Sequence, residues 1–205
     1  PGERPGKPMG AVLASGRVGA EGPKEECGVF GVWAPGDDVA RLTYFALFAQ
    51  QHRGQEAAGM AVSDGEHILV FKELGLVSQV FDEATLSTLR GDLGIGHNRY
   101  STTGSTTWEN AQPAFKTDGQ RSLALGHNGN LVNTLELAER AGAGTATTDS
   151  DLVASLLASR SFEGLEAAAL DILPTLEGAF SFVLMHERSL FAARDPDDAD
   201  AAAAG

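Results

Sequence analysis

From Ala58 to Glu73 the chain reads AGMAVSDGEHILVFKE, two runs of strand-forming residues around Ser63-Asp64-Gly65. Aspartate followed by glycine is a strong hairpin signal, because both residues tolerate the positive φ of a tight reversal. A second apolar hairpin is predicted in GAFSFVLMHERSLFAARD, Gly178 to Asp195. Hairpins commit their strands to antiparallel pairing, and between the two lie segments of helical spacing at about 131–141, 150–160 and 163–173. Strands, helices and strands again, with hairpins throughout, predict an α+β domain with layered antiparallel sheet rather than a parallel βαβ design.

Other elements follow by the same rules. GVFGVW, ending at Trp33, is a short apolar run with β-branched and aromatic residues, and Pro35-Gly36 closes it as a strand. Asp37 and Asp38 can cap a helix whose apolar positions are Val39, Leu42, Phe45, Ala46 and Ala49. A short helix is expected over 82–89, with strands at 93–97 and 122–126. Residues 1–26 are rich in glycine and proline and read as a flexible leader, so the folded domain is expected over 27–195. The last ten residues, PDDADAAAAG at 196–205, are a low-complexity tail. Their contrast with the preceding pattern suggests an incomplete domain, cut at its C-terminus.

With 205 residues, 42% of them apolar, the chain can bury one core of ordinary size. A formal charge of −13, with only 15 lysines and arginines spread along its length, argues against nucleic acid as a partner. No run approaches the roughly 20 apolar residues of a membrane span, and Met9 to Ala20 lacks the layout of a secretory signal. A single cysteine makes no internal disulfide, and no Cys/His cluster offers a metal site. A cytoplasmic enzyme is the reading these features favour.

Polar and glycine-rich residues gather in Cys27-Gly28, QHRGQEAAG (Gln51 to Gly59), GHNRYSTTGS (Gly96 to Ser105), GHNGNLVNT (Gly126 to Thr134) and TTDSD (Thr147 to Asp151). Each has a plain reading and a chemical one. Cys27 is either a small buried hydrophobe or a nucleophile. In the second case, removal of the leader after Glu26 would leave it an α-amino group, of pKa about 8, as its own base. Arg53 and Arg99 are either solvated cations or anion ligands, and the hydroxyls after Arg99 suit a carboxylate held bidentately. Asn128-Gly129 is either a turn or a pair of donors for an oxyanion. Asp149 either caps the helix starting at Ser150 or pairs with a substrate ammonium.

Taken together, CGVFG (Cys27 to Gly31), QHRGQEAAG, NRYSTTG and GHNGNL, in this order and at these intervals, resemble the N-terminal glutaminase domain of the amidophosphoribosyltransferases. These belong to the class II glutamine amidotransferases, and the resemblance covers about Glu26 to Asp195, most of the chain. It implies a four-layer αββα sandwich of the N-terminal-nucleophile hydrolase type, with Cys27 as nucleophile and mature N-terminus. It further implies Asn128 and Gly129 as the oxyanion hole, Arg99 as clamp for the glutamine α-carboxylate and Asp149 as partner of its α-amino group. Arg53 takes a supporting role and Thr102 helps to hold substrate.

The implied activity is hydrolysis of the glutamine amide, with the ammonia passed to a phosphoribosyltransferase domain that makes 5-phosphoribosylamine, the first step of purine synthesis. That domain is absent from this sequence. It would carry Mg2+ and, in some members, an iron–sulfur cluster, while the glutaminase domain itself needs no cofactor or metal. The complete enzyme is expected to be a homo-oligomer. Three other readings compete: a catalytically silent fragment, the glutaminase domain of another class II amidotransferase, and a cysteine peptidase of the same fold.

Overall fold

A computed structural model of the chain describes residues 10–14, 27–100, 107–117, 121–141, 146–160 and 164–195. Strands β1 (Gly10–Ala14), β2 (Gly28–Trp33), β3 (Ala57–Ser63), β4 (Ile68–Leu74) and β5 (Leu93–Arg99) form one antiparallel sheet in the order β1-β2-β5-β3-β4. Strands β6 (Ala114–Thr117), β7 (Ser122–Leu131), β8 (Gly178–Met185) and β9 (Leu190–Arg194) form a second in that order, every pairing again antiparallel. Both predicted hairpins are present, as β3-β4 and β8-β9. In the first, Gly65 takes φ +93°, and the Asp64 carboxylate accepts the Glu66 and His67 amides at 2.8 Å.

Strand alternation sorts the apolar side chains into three layers of core. Val29, Ala61, Ile95, Ala124, Val183 and Met185 lie between the two sheets. On the outer face of the first sheet, Phe30, Val32, Met60 and Val62 pack against the helices α1 (Val39–Ala49), α2 (Val77–Val80) and α3 (Glu83–Thr88). On the outer face of the second, Leu123, Leu125, Phe180, Phe182 and Leu184 meet α4 (Thr134–Ala141), α5 (Asp149–Arg160) and α6 (Leu165–Ile172). Helices, sheet, sheet and helices make four layers.

Several expectations are corrected. Asp38 caps α1 as predicted, its carboxylate accepting the Arg41 amide at 3.1 Å, but α1 turns a different face inward. Val39, Ala40, Thr43 and Leu47 are buried, while Leu42 and Phe45 are exposed. The reason lies in the partner strand: a Cβ at Gly94 or Gly96 would collide with Val39, Thr43 and Leu47, so the glycines draw this face of the helix onto β5. Within the stretch read as a flexible leader, Gly10–Ala14 pairs with β2 in antiparallel register from Gly10 opposite Trp33 to Ala14 opposite Val29. Its backbone satisfies the open hydrogen-bonding edge of β2. β7 runs five residues past the predicted end at residue 126, through His127-Asn128-Gly129, and α4 therefore starts at Thr134 rather than 131.

Candidate functional site

Cys27 stands immediately before β2, where that strand lies beside the end of β5. Its thiol is half-buried and donates to the Tyr100 carbonyl at 3.3 Å, while the Tyr100 amide approaches Sγ at 3.4 Å. Burial pushes the thiol pKa up, outweighing the Tyr100 hydrogen bond and the neighbouring Arg99 and Arg53 guanidinium groups. The thiol therefore stays protonated at neutral pH and needs a base before it can attack.

Arg99 ends β5 and is 5% exposed. Its Nη1 is buried without a hydrogen-bond partner among the described residues, a cationic donor held in reserve. The QHRG stretch supports it from behind. Gln50 ends α1, a single 3-10 turn covers Gln51–Arg53, and Gly54 lies so close to the Arg99 backbone that a Cβ would strike the Arg99 carbonyl. Gln51 fixes this turn through its amide, donating to the Gly54 carbonyl at 2.5 Å and accepting the Val77 amide at 2.7 Å. Arg53 Nε donates to the Cys27 carbonyl at 3.4 Å, so this arginine steadies the nucleophile's backbone.

Asp149 opens α5, but it is not the helix cap. Thr148 fills that place, its hydroxyl accepting the Asp151 amide at 3.1 Å. The Asp149 carboxylate instead accepts the Ser150 amide at 2.7 Å and the Leu131 amide at 3.3 Å, and lies 3.6 Å from His127 Nδ1. Burial raises its pKa, yet the His127 contact and these two amides outweigh burial and leave it below the ordinary carboxylate value. Asp149 is thus a stable anion at neutral pH.

Asn128 and Gly129 are in strand rather than turn. Gly129 has φ +144°, and a Cβ there would overlap the Ala179 carbonyl of β8, so no other residue fits this backbone without strain.

These residues surround one cleft of about 300 Å³, room for a small polar metabolite. Cys27, Arg99, Gly129 and Asp149 line it, with Tyr100, Gln112, His127, Asn130 and Thr148 among the remainder. Asn128 and Arg53 do not. Strand alternation sets Asn128 on the same face of β7 as Gly126, toward the other sheet, and Arg53 reaches the backbone of Cys27. Thr102 lies outside the described residues. Sequence reasoning missed Gln112, which lies in no motif, and passed over His127 inside GHNGNLVNT and Ser150 inside TTDSD.

A nucleophile, a guanidinium whose buried Nη1 has no partner among the described residues and a stable carboxylate around a small cleft suit a zwitterionic amino acid whose side chain reaches the thiol. Among the described residues no three histidine, cysteine, aspartate or glutamate side chains converge as a metal set. The resemblance puts Mg2+ and the iron–sulfur cluster on the phosphoribosyltransferase domain rather than on these residues.

The architecture and site define a glutamine amidotransferase domain on the N-terminal-nucleophile hydrolase fold, and the family model described as glutamine amidotransferase domain matches residues 97–197. An amidophosphoribosyltransferase of Mycobacterium tuberculosis strain H37Rv is 62% identical over 185 residues, covering 85% of this chain and 35% of that protein. That of Bacillus subtilis strain 168 is 38% identical over 182 residues, 86% of this chain and 38% of the other. The solved B. subtilis glutamine phosphoribosylpyrophosphate amidotransferase, complexed with ADP and GMP, superimposes with a TM-score of 0.73 at 36% identity, over 82% of this chain and 37% of that one. The chain belongs to the amidophosphoribosyltransferase family. It spans about a third of the length of the curated relatives it matches, the part that corresponds to their glutaminase domain.

Proposed function

We propose that this domain hydrolyses the side-chain amide of glutamine and supplies the ammonia for amination of phosphoribosylpyrophosphate in a longer protein, as the names of its relatives indicate. The observation that carries the reading is the convergence on one cleft of Cys27, anionic Asp149 and Arg99, whose Nη1 has no partner among the described residues. Arg99 takes the α-carboxylate, Asp149 the α-ammonium, and the amide carbon is left beside Sγ.

Sγ attacks that carbon and the carbonyl becomes an oxyanion, stabilised by donors on the Asn128-Gly129 segment. The C–N bond then breaks, ammonia leaves carrying the proton taken from the thiol, and a γ-glutamyl thioester remains on Cys27. Water adds to the thioester carbon, the C–S bond breaks, and glutamate leaves with the thiol restored.

The thiol proton requires a base. While residue 26 is attached, the Cys27 nitrogen is an amide with no basic lone pair, whereas cleavage of the Glu26-Cys27 bond creates an amine of pKa about 8 next to the thiol. A protonated, half-buried thiol whose hydrogen-bond partner among the described residues is the Tyr100 backbone is what such an amine would serve. Residues 1–26 are accordingly a removable leader, and their loss takes strand β1 from the edge of β2. Cys27→Ala is expected to abolish glutamate release from glutamine, and intact-mass measurement of the active protein should give a chain starting at Cys27. Turnover that survives the substitution rules out the nucleophile, and full activity with the leader retained rules out the terminal amine.

A further inference from the structure

The side chain of Gln112 does the work of a missing strand. β6 pairs with β7 only as far as Ala114 opposite Leu125, and two residues further along β7 the backbone of His127 meets the Gln112 amide instead. Gln112 Oε1 accepts the His127 N–H at 2.7 Å, and Nε2 lies 3.4 Å from the His127 carbonyl, which also accepts from His97 Nε2 at 2.9 Å. The segment can lie this close to β3 because position 59 is glycine, where a Cβ would overlap the Gln112 carbonyl.

The same amide reaches α5. Gln112 Nε2 donates to Ser150 Oγ at 3.1 Å, and that hydroxyl lies 3.3 Å from Asp149 Oδ1 and 3.1 Å from His127 Nδ1. Ser150 and His127 are 2% exposed, so water does not compete for these bonds. His127 is further fixed by packing on Phe182, ring centroids 4.6 Å apart. With one Nε2 hydrogen spent on Ser150, the hydroxyl accepts from Gln112 and is free to donate onward to Asp149, which sets the direction of the carboxylate's remaining lone pairs.

We propose that Gln112 and Ser150 are positioning residues that set selectivity for an α-ammonium group by orienting Asp149. This rests on the reading of Asp149 as the ammonium ligand. A relay that only held the fold together would weaken every substrate alike. One that aims Asp149 weakens only substrates that present an amine.

The test compares kcat/KM for L-glutamine with that for 4-carbamoylbutanoate, the same amide without the α-amino group, in the purified, active protein. Wild type should favour glutamine. In Gln112→Met this preference should fall by at least about tenfold, chiefly through KM, because any disturbance of the oxyanion segment acts on both substrates and cancels in the ratio. Ser150→Ala removes only the hydroxyl and should lower the ratio in the same direction, which keeps the test open if Gln112→Met folds poorly. Equal losses on both substrates, or an unchanged ratio in both variants, overturn the inference while leaving the glutaminase reading intact. A wild type that turns over glutamine with no preference over the desamino compound overturns both the role of Asp149 and the relay, and one that does not hydrolyse glutamine at all overturns the functional reading itself.

Discussion

Asp149 illustrates how a residue acquires its task from its neighbours. As the first residue of α5 it could have spent its carboxylate on capping, but Thr148 caps the helix and Asp149 faces the cleft. The His127 contact, together with the Leu131 and Ser150 amides, outweighs burial and holds it as an anion below the ordinary carboxylate value of 3.8. A folded-state pKa lowered in this way gives a contribution that is present above the unfolded value and lost only as pH falls through the depressed one. Glutamine KM is therefore expected to stay flat from neutral pH down to about pH 5 as far as this group is concerned. Asp149→Asn should raise KM about tenfold to a hundredfold with a smaller change in kcat, the cost of losing one charge-assisted hydrogen bond, as steady-state kinetics would show. Residue types and spacing named Cys27, Arg99, Gly129 and Asp149 before any coordinates. They did not name Gln112 or Ser150, because an amide and a hydroxyl become a relay only when the fold brings β6, β7 and α5 together.

At the scale of elements, α1 and β5 determine each other's placement. α1 carries apolar residues around most of its circumference, so helical periodicity alone leaves its inward face undetermined. Gly94 and Gly96 settle the question by clearing a groove on β5 that admits Val39, Thr43 and Leu47. Gly96→Ala would put a Cβ within 2.7 Å of the Thr43 methyl and 2.9 Å of Leu47 Cδ1. Overpacking of this kind is expected to cost about 1–3 kcal/mol, measured as a lower urea midpoint with unchanged m-value. A midpoint equal to wild type would mean that α1 can shift outward at no cost. The hairpins, by contrast, were legible from the start, since Asp64-Gly65 encodes its reversal within a few residues of backbone. β7 was legible only in part: Asn-Gly reads as a turn until β8 is seen to pair with it residue by residue through Gly129 opposite Phe180.

At the scale of the whole molecule, the joint between the two sheets is sensitive to pH. His97 of β5 is fully buried and donates through Nε2 to the His127 carbonyl of β7, so it ties one sheet to the other at the base of the cleft. Burial lowers its pKa from 6.5 to about 3, outweighing the hydrogen bond to His127. The unfolded chain thus binds a proton near pH 6.5 that the folded chain refuses until about pH 3, and stability falls as pH drops through that window. One such group sets a slope of up to about 1.4 kcal/mol per pH unit. Urea unfolding at pH 7, 6 and 5, before most carboxylates titrate, should show this slope in wild type and lose it in His97→Gln. The sequence by itself determined the class of fold, the hairpins, the main helices and the polar residues from which the site is made, because turn chemistry, apolar periodicity and residue type are properties of short stretches of chain. Only the tertiary structure decided that His97 joins the sheets, that Gln112 replaces a strand and that Gly10–Ala14 covers the edge of β2. Each of these satisfies backbone polar groups with partners far away in sequence or on another element, and that pairing exists only once the chain is packed.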